Sequence, residues 1–140
     1  MTACKLHVFY PHSFWGRGPR ETCYNICASW PGQGMETQVY TAACLRSDPA
    51  RIMAPALPNA IPLRLRRWLA GQARLNRRLE QHSLARGMAA IAPGDWCYAW
   101  PGTPIEALRQ IKDRGGRLVV EFINTHTAYA KDILETECAR

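Results

Sequence analysis

No stretch of this chain approaches the roughly 18 consecutive apolar residues of a membrane-spanning helix. Nor does an apolar run of signal-peptide length follow Met1-Thr2-Ala3-Cys4-Lys5, so the expected setting is the cytoplasm. There is no C-x-x-C pair, and none of the four histidines stands at zinc-finger spacing. Cys4, Cys23, Cys27, Cys44, Cys97 and Cys138 are scattered, several inside apolar runs. That pattern excludes a disulfide framework and predicts buried reduced thiols. Cys23 and Cys27 would share one face of a helix, but no convincing further ligands lie nearby, and no bound metal is expected. With 47% hydrophobic residues in 140, the chain is too apolar for disorder and has the length of one domain.

Acidic residues are also few, 11 against 18 lysines and arginines, for a net charge of +7. The excess is local. Between Pro62 and Arg86 lie Arg64, Arg66, Arg67, Arg74, Arg77, Arg78 and Arg86, opposed only by Glu80, so this segment holds +6 of the total. One basic segment on a near-neutral body points to a single anionic contact surface.

Along the chain, residues 5–10 read as a strand, and Pro19 can open a helix over 21–30 that Pro31-Gly32 closes. Residues 36–43 alternate as a second strand. Four prolines make residues 47–62 an irregular connection. Ile61, Leu65, Trp68, Leu69, Leu75 and Leu79 recur at helical spacing, predicting one helix over 63–86 with Gly87 as its stop. Residues 95–100 form a third strand. Thr103-Pro104-Ile105-Glu106 is a capping box with Thr103 as N-cap, opening a helix that ends at Gly115-Gly116. Residues 117–123 are apolar enough for a fourth strand buried on both faces, and a last helix is expected from near Thr127 to Arg140.

This alternation predicts an α/β domain, an open doubly wound Rossmann-like parallel sheet with helices on both faces. Ligands bind outside the carboxyl ends of such strands. The rule selects the loop with His12 and Gly16-Arg17-Gly18, where glycines and a helix start suit a phosphate, helped by Arg17 and Arg20. It also selects residues 43–48, Pro101-Gly102, and the polar cluster Asn124-Thr125-His126. His7 reads as a core histidine and His82 as a solvated one.

These segments together resemble the N-terminal domain of a family 4 glycosyltransferase of the GT-B type. The resemblance rests on Tyr98-Ala99-Trp100-Pro101, Ile105-Glu106-Ala107-Leu108, Lys112-Asp113-Arg114-Gly115-Gly116, Leu118-Val119-Val120-Glu121, Asn124-Thr125-His126 and the continuation from Tyr129 to Glu137. The turn from Pro11 to Gly18 resembles the family's glycine-rich loop. The likeness spans residues 1–30 and 94–140. It implies the acceptor-holding half of a retaining transferase whose second domain binds the nucleotide-sugar. His126 would contact the transferred sugar as the catalytic residue, with Asn124 and Thr125 beside it. Gly16, Arg17 and Gly18 would lie near donor phosphate and acceptor. No cofactor is implied beyond the donor substrate, and no metal, since protein groups and helix dipoles neutralise the donor phosphate. The donor-binding motif would lie beyond Arg140, so this chain alone is not expected to transfer sugar. The acceptor would be a sugar, a glycan or a lipid-linked sugar.

The basic segment allows a reading of another class. Trp68 flanked by Arg64, Arg66, Arg67, Arg74, Arg77 and Arg78 suits a helix docking on an anionic membrane or partner, which would make the chain a peripheral, non-catalytic binding module. The same periodicity suits an apolar stripe packed on the sheet with arginines in water. No nucleic-acid module is recognisable, so nucleic acid is not an expected partner.

Overall fold

A computed structural model describes residues 4–15 and 18–121. Its elements are β1 (Cys4–Phe9), α1 (Pro19–Ala28), β2 (Met35–Ala43), β3 (Met53–Leu57), α2 (Leu63–Gly71), α3 (Ala73–Ala90), β4 (Trp96–Ala99), α4 (Ile105–Asp113) and β5 (Arg117–Val120). The five strands form one sheet in the order β3-β2-β1-β4-β5, with every pairing parallel. The chain is thus an α/β domain of the Rossmann-like kind. Among the described residues no helix is long and apolar enough to cross a membrane.

β1 is the centre of the fold because its side chains from Leu6 to Phe9 are apolar or satisfied on both faces. Leu6 and Val8, with Tyr10 beyond them, pack toward Cys23, Tyr24 and Cys27 of α1, joined by Val39, Tyr98 and Trp100. Phe9 joins Tyr40, Met88, Ile91, Cys97, Ala107 and Ile111 under α3 and α4. Strand order reverses between β1 and β4, so the ligand crevice of this architecture lies at their carboxyl ends.

Several expectations are corrected. The connection over 47–62 contains a strand, β3, with Pro55 inside it. Proline lacks the N–H of a ladder bond, but among the described residues β3 is an edge strand that pairs only with β2, where the missing donor is tolerated. Asp48 starts the strand, its carboxylate accepting the N–H groups of Ile52 and Met53 at 3.3 and 2.9 Å and the Tyr24 hydroxyl at 3.1 Å. The single helix over 63–86 is two, broken where Gln72 turns extended at ψ 107°.

Thr103 is not the N-cap of α4. Its hydroxyl donates to the Trp100 carbonyl at 2.8 Å, and Pro104 takes the cap position. β5 ends at Val120 and, among the described residues, lies on the sheet edge with Leu118 and Val120 half-buried on one face and Val119 43% exposed on the other. The final helix expected from Thr127 lies outside the described residues.

Gly87 does not stop α3, which runs on to Ala90. Here the helix presses on the sheet. A Cβ at this position would stand 2.6 Å from Phe9 Cε1 and 2.9 Å from the Tyr40 ring, both buried. In an open helix interior Gly→Ala gains about 1 kcal/mol. Gly87→Ala is expected to reverse that sign and destabilise by about 1–3 kcal/mol through overpacking. Urea unfolding of the two proteins measures it, and a stabilised variant would show that α3 is free to lift.

Candidate functional site

The segment after β1 is stitched to β2 before it can wander. Tyr10 N–H donates to Tyr40 O at 3.0 Å, Ala42 N–H to Pro11 O at 3.1 Å and Phe14 N–H to Ala43 O at 2.7 Å. The buried Thr41 hydroxyl donates to the His12 carbonyl. With its backbone held from the β2 side, His12 turns its ring toward α3. Nδ1 lies 3.0 Å from Glu80 Oε1. Asn76 Nδ2, one turn earlier on α3, donates to the same oxygen at 2.9 Å, and Ser13 Oγ donates to Asn76 Oδ1 at 2.7 Å.

A carboxylate only accepts, so Nδ1 carries the hydrogen and, in the neutral ring, Nε2 is the acceptor. Nε2 has no hydrogen-bond partner among the described residues. It rests over Gly102 in the loop after β4, whose φ of +94° suits glycine and where any Cβ would collide with it. The His12 side chain is 45% exposed and that of Glu80 25%.

A second histidine–carboxylate pair has the opposite character. His7 Nε2 lies 3.0 Å from Asp95 Oδ2, and Nδ1 lies 3.2 Å from the Tyr40 hydroxyl. Both ring nitrogens are engaged and the side chain is only 6% exposed, which makes His7 the core histidine expected of it. His82 is exposed on α3, also as expected. Burial works against the Asp95 carboxylate, but the Ala92 N–H at 2.8 Å and His7 outweigh it and hold its pKa below the ordinary value.

Sequence reasoning placed His12 on the ligand side of the sheet without a partner, and Glu80 only as the one charge opposing the arginines. The pair is separated by 68 residues, beyond any local pattern. The readable trace is the stripe Asn76, Glu80, Ser83, Gly87, polar or small at three- and four-residue spacing, an unusual face to lay on a sheet.

Of the other expected site residues, Gly18 caps α1 with φ +62° and ψ −139°, a conformation other residues rarely adopt. Gly16, Arg17, Asn124, Thr125 and His126 lie outside the described residues. At the carboxyl edge of the sheet the chain leaves β5 at Glu121, whose N–H donates to Ala99 O at 2.8 Å. A cavity of about 300 Å³ opens there, lined by Trp100, Gly102, Thr103, Leu108, Val120 and Glu121. Trp100 Nε1 is buried with no partner among the described residues.

The arginines divide. Arg66 folds inward, donating to the carbonyls of Ile61 and Cys44 and to Asn59 Oδ1, and Arg86 donates to Pro55 O at 2.9 Å. Arg64, Arg67, Arg74, Arg77 and Arg78 are exposed and form no ion pair among the described residues. Arg74, Arg77 and Arg78 line a shallow cavity of about 420 Å³ with Ala73 and Gln81. On α2 no residue is buried, and Leu65 and Trp68 are 46% and 61% exposed.

Cys23, Cys27, Cys44 and Cys97 are free and buried. Contact with Cys27 and burial push the Cys23 thiol far up, and burial raises Cys97 to about 11. None is poised as a nucleophile. Among the described residues no group of three or more His, Cys, Asp or Glu is placed to hold a metal ion.

Compared with known protein families, curated proteins and solved structures, the chain matches none.

Asp95 provides a pH test of the sealed pair. Its pKa is depressed in the folded state, so its contribution is present above the ordinary carboxylate value of about 4 and is lost as pH falls through the folded value. Asp95→Asn is expected to lower stability at pH 7 and to flatten the acid limb of a stability-against-pH curve. An acid limb as steep as in the parent would show that Asp95 is not its source.

Proposed function

We propose that this chain is the acceptor-side half of a retaining sugar transferase of the GT-B type, one that moves a hexosyl group from a nucleotide-sugar to a sugar, glycan or lipid-linked acceptor. One observation carries the reading. Two of the segments that resemble family 4 glycosyltransferases lie at one edge of the sheet, since Gly18 opens α1 after β1 and Pro101-Gly102 follows β4. That edge is where a ligand sits in a sheet of this order.

In this reading His126 contacts the transferred sugar, flanked by Asn124 and Thr125. Gly16 and Gly18 let backbone approach the donor phosphate, and Arg17 adds charge. A second domain supplies the nucleotide-sugar. Phosphate charge leaving with the nucleotide is met by N–H groups and guanidinium rather than by a metal ion. The reaction would run in the cytoplasm, at the membrane face where the acceptor is lipid-linked.

The test uses the polypeptide as made in its source cells, since a donor domain of similar size would roughly double its mass. Transfer is measured from UDP-, GDP- and ADP-sugars into lipid and glycan extracts. His126→Ala is expected to lower kcat about 10²-fold or more with the thermal midpoint unchanged. Unchanged turnover removes His126 from the reaction, and absence of transfer from every donor sinks the transferase reading.

A second reading is favoured by α2, whose exposed Leu65 and Trp68 stand beside exposed Arg64 and Arg67. Aromatic and aliphatic groups ringed by arginine suit the interface of an anionic bilayer, each charge contributing about 1 kcal/mol. Glutamate at Arg64, Arg67, Arg77 and Arg78 together is expected to abolish sedimentation with phosphatidylserine vesicles. Arg66 is left in place because it holds the fold. Sedimentation that persists in this variant would place the contact elsewhere.

A further inference from the structure

We propose that residues 127–140 of this chain dock as an amphipathic helix on the open face of β4 and β5, running antiparallel to the strands with Glu137 beside Arg117. The proposal does not depend on the transferase reading. On the face of Leu6, Val8 and Val39, α1 packs through Cys23, Tyr24 and Cys27. Five strands span about 20 Å and one helix covers about 10 Å, so α1 leaves about half of that face to another element. In the remaining half, among the described residues, lies a groove of about 410 Å³ lined by Trp30, Met35, Trp96, Tyr98 and Val119. Aromatic and branched side chains gathered on one open face call for a cover.

The opposite face is already taken, since α3 and α4 pack there on Phe9, Cys97 and Leu118. Strand register turns Arg117 and Val119 toward the groove, opposite Trp96 and Tyr98. Glu121, which accepts from the Tyr98 hydroxyl, lines the groove where the chain leaves β5. From there the five residues 122–126 reach up to about 17 Å, enough to carry the chain from the carboxyl edge onto this face.

Residues 127–140 have the composition such a cover needs. Tyr129, Ala130, Ile133, Leu134 and Cys138 recur at three- and four-residue spacing, with Lys131, Asp132, Glu135 and Thr136 on the other side. Glu137 alone interrupts the apolar stripe with a charge, and it needs a cation under it. Arg117 is exposed over the Trp96 ring, 5.4 Å from its centroid, and forms no ion pair among the described residues. The lengths agree. Ten helical residues from 127 to Glu137 advance about 15 Å, and four strand residues from Glu121 back to Arg117 cover about 13 Å. Ile133, about 9 Å along the helix, falls near Val119, about 7 Å back along β5.

Hydrogen exchange of the 140-residue chain, read by mass spectrometry, tests the docking. Peptides from 127–140 are expected to exchange about 10²-fold more slowly than an unstructured chain. Val119→Asp puts a charge in the groove without touching the packing of α1, α3 or α4. It is expected to erase most of that protection while β1 and β4 keep theirs. Ile133→Asp, made on the segment itself, is expected to do the same. A segment unprotected in the parent, or equally protected in both variants, overturns the proposal. So does a dimer that Val119→Asp dissolves, because the groove would then belong to a second copy.

Charge exchange tests the register. Glu137→Arg and Arg117→Glu are each expected to speed exchange of 127–140 about fivefold, the upper worth of an exposed ion pair, and together to restore it. Failure of the double variant to restore protection overturns the antiparallel pairing.

Discussion

The contact of Gly87 with Phe9 and Tyr40 sets the position of α3, and much of the carboxyl edge depends on it. A helix lying on bare glycine comes close to the sheet. Glu80 is seven residues before Gly87, about 10 Å along the helix, and His12 is three residues past Phe9, about 10 Å along an extended chain. α3 runs antiparallel to the strands, so both displacements point to the carboxyl edge and bring Glu80 beside His12. A methyl group at position 87 would disturb the core and the polar network together.

The sheet treats its two histidines by position. Inside β1, His7 faces the α3 side and must satisfy both nitrogens, because a buried unpaired polar group costs about 1–3 kcal/mol. Beyond β1, His12 is at the rim, its Nδ1 held by Glu80 and its Nε2 set against Gly102.

The basic segment has two physical roles. Arg66 and Arg86 turn back to backbone carbonyls and hold connections, while Arg64, Arg67, Arg74, Arg77 and Arg78 remain outward. Charge counting alone treats all seven as equivalent. Both the sugar-transfer and the membrane readings concern surfaces of the same α/β body. They are compatible where the acceptor is carried by a lipid.

What the sequence by itself determined was the class of fold, the carboxyl-edge location of the loops and the burial of four thiols. These follow from alternation of apolar runs with helical periods, which is local information. It missed β3, because Pro55 is acceptable only on an edge, and edges exist only once strands are ordered. It placed Thr103 as a cap, but the carbonyl of Trp100, brought near by the end of β4, took the hydroxyl instead. It read β5 as doubly buried, although among the described residues the packing of α4 covers one face. The pairing of His12 with Glu80 was decided by tertiary structure alone. Sixty-eight residues separate them, and neither residue's neighbours carry any sign of the other until α3 is laid across the sheet.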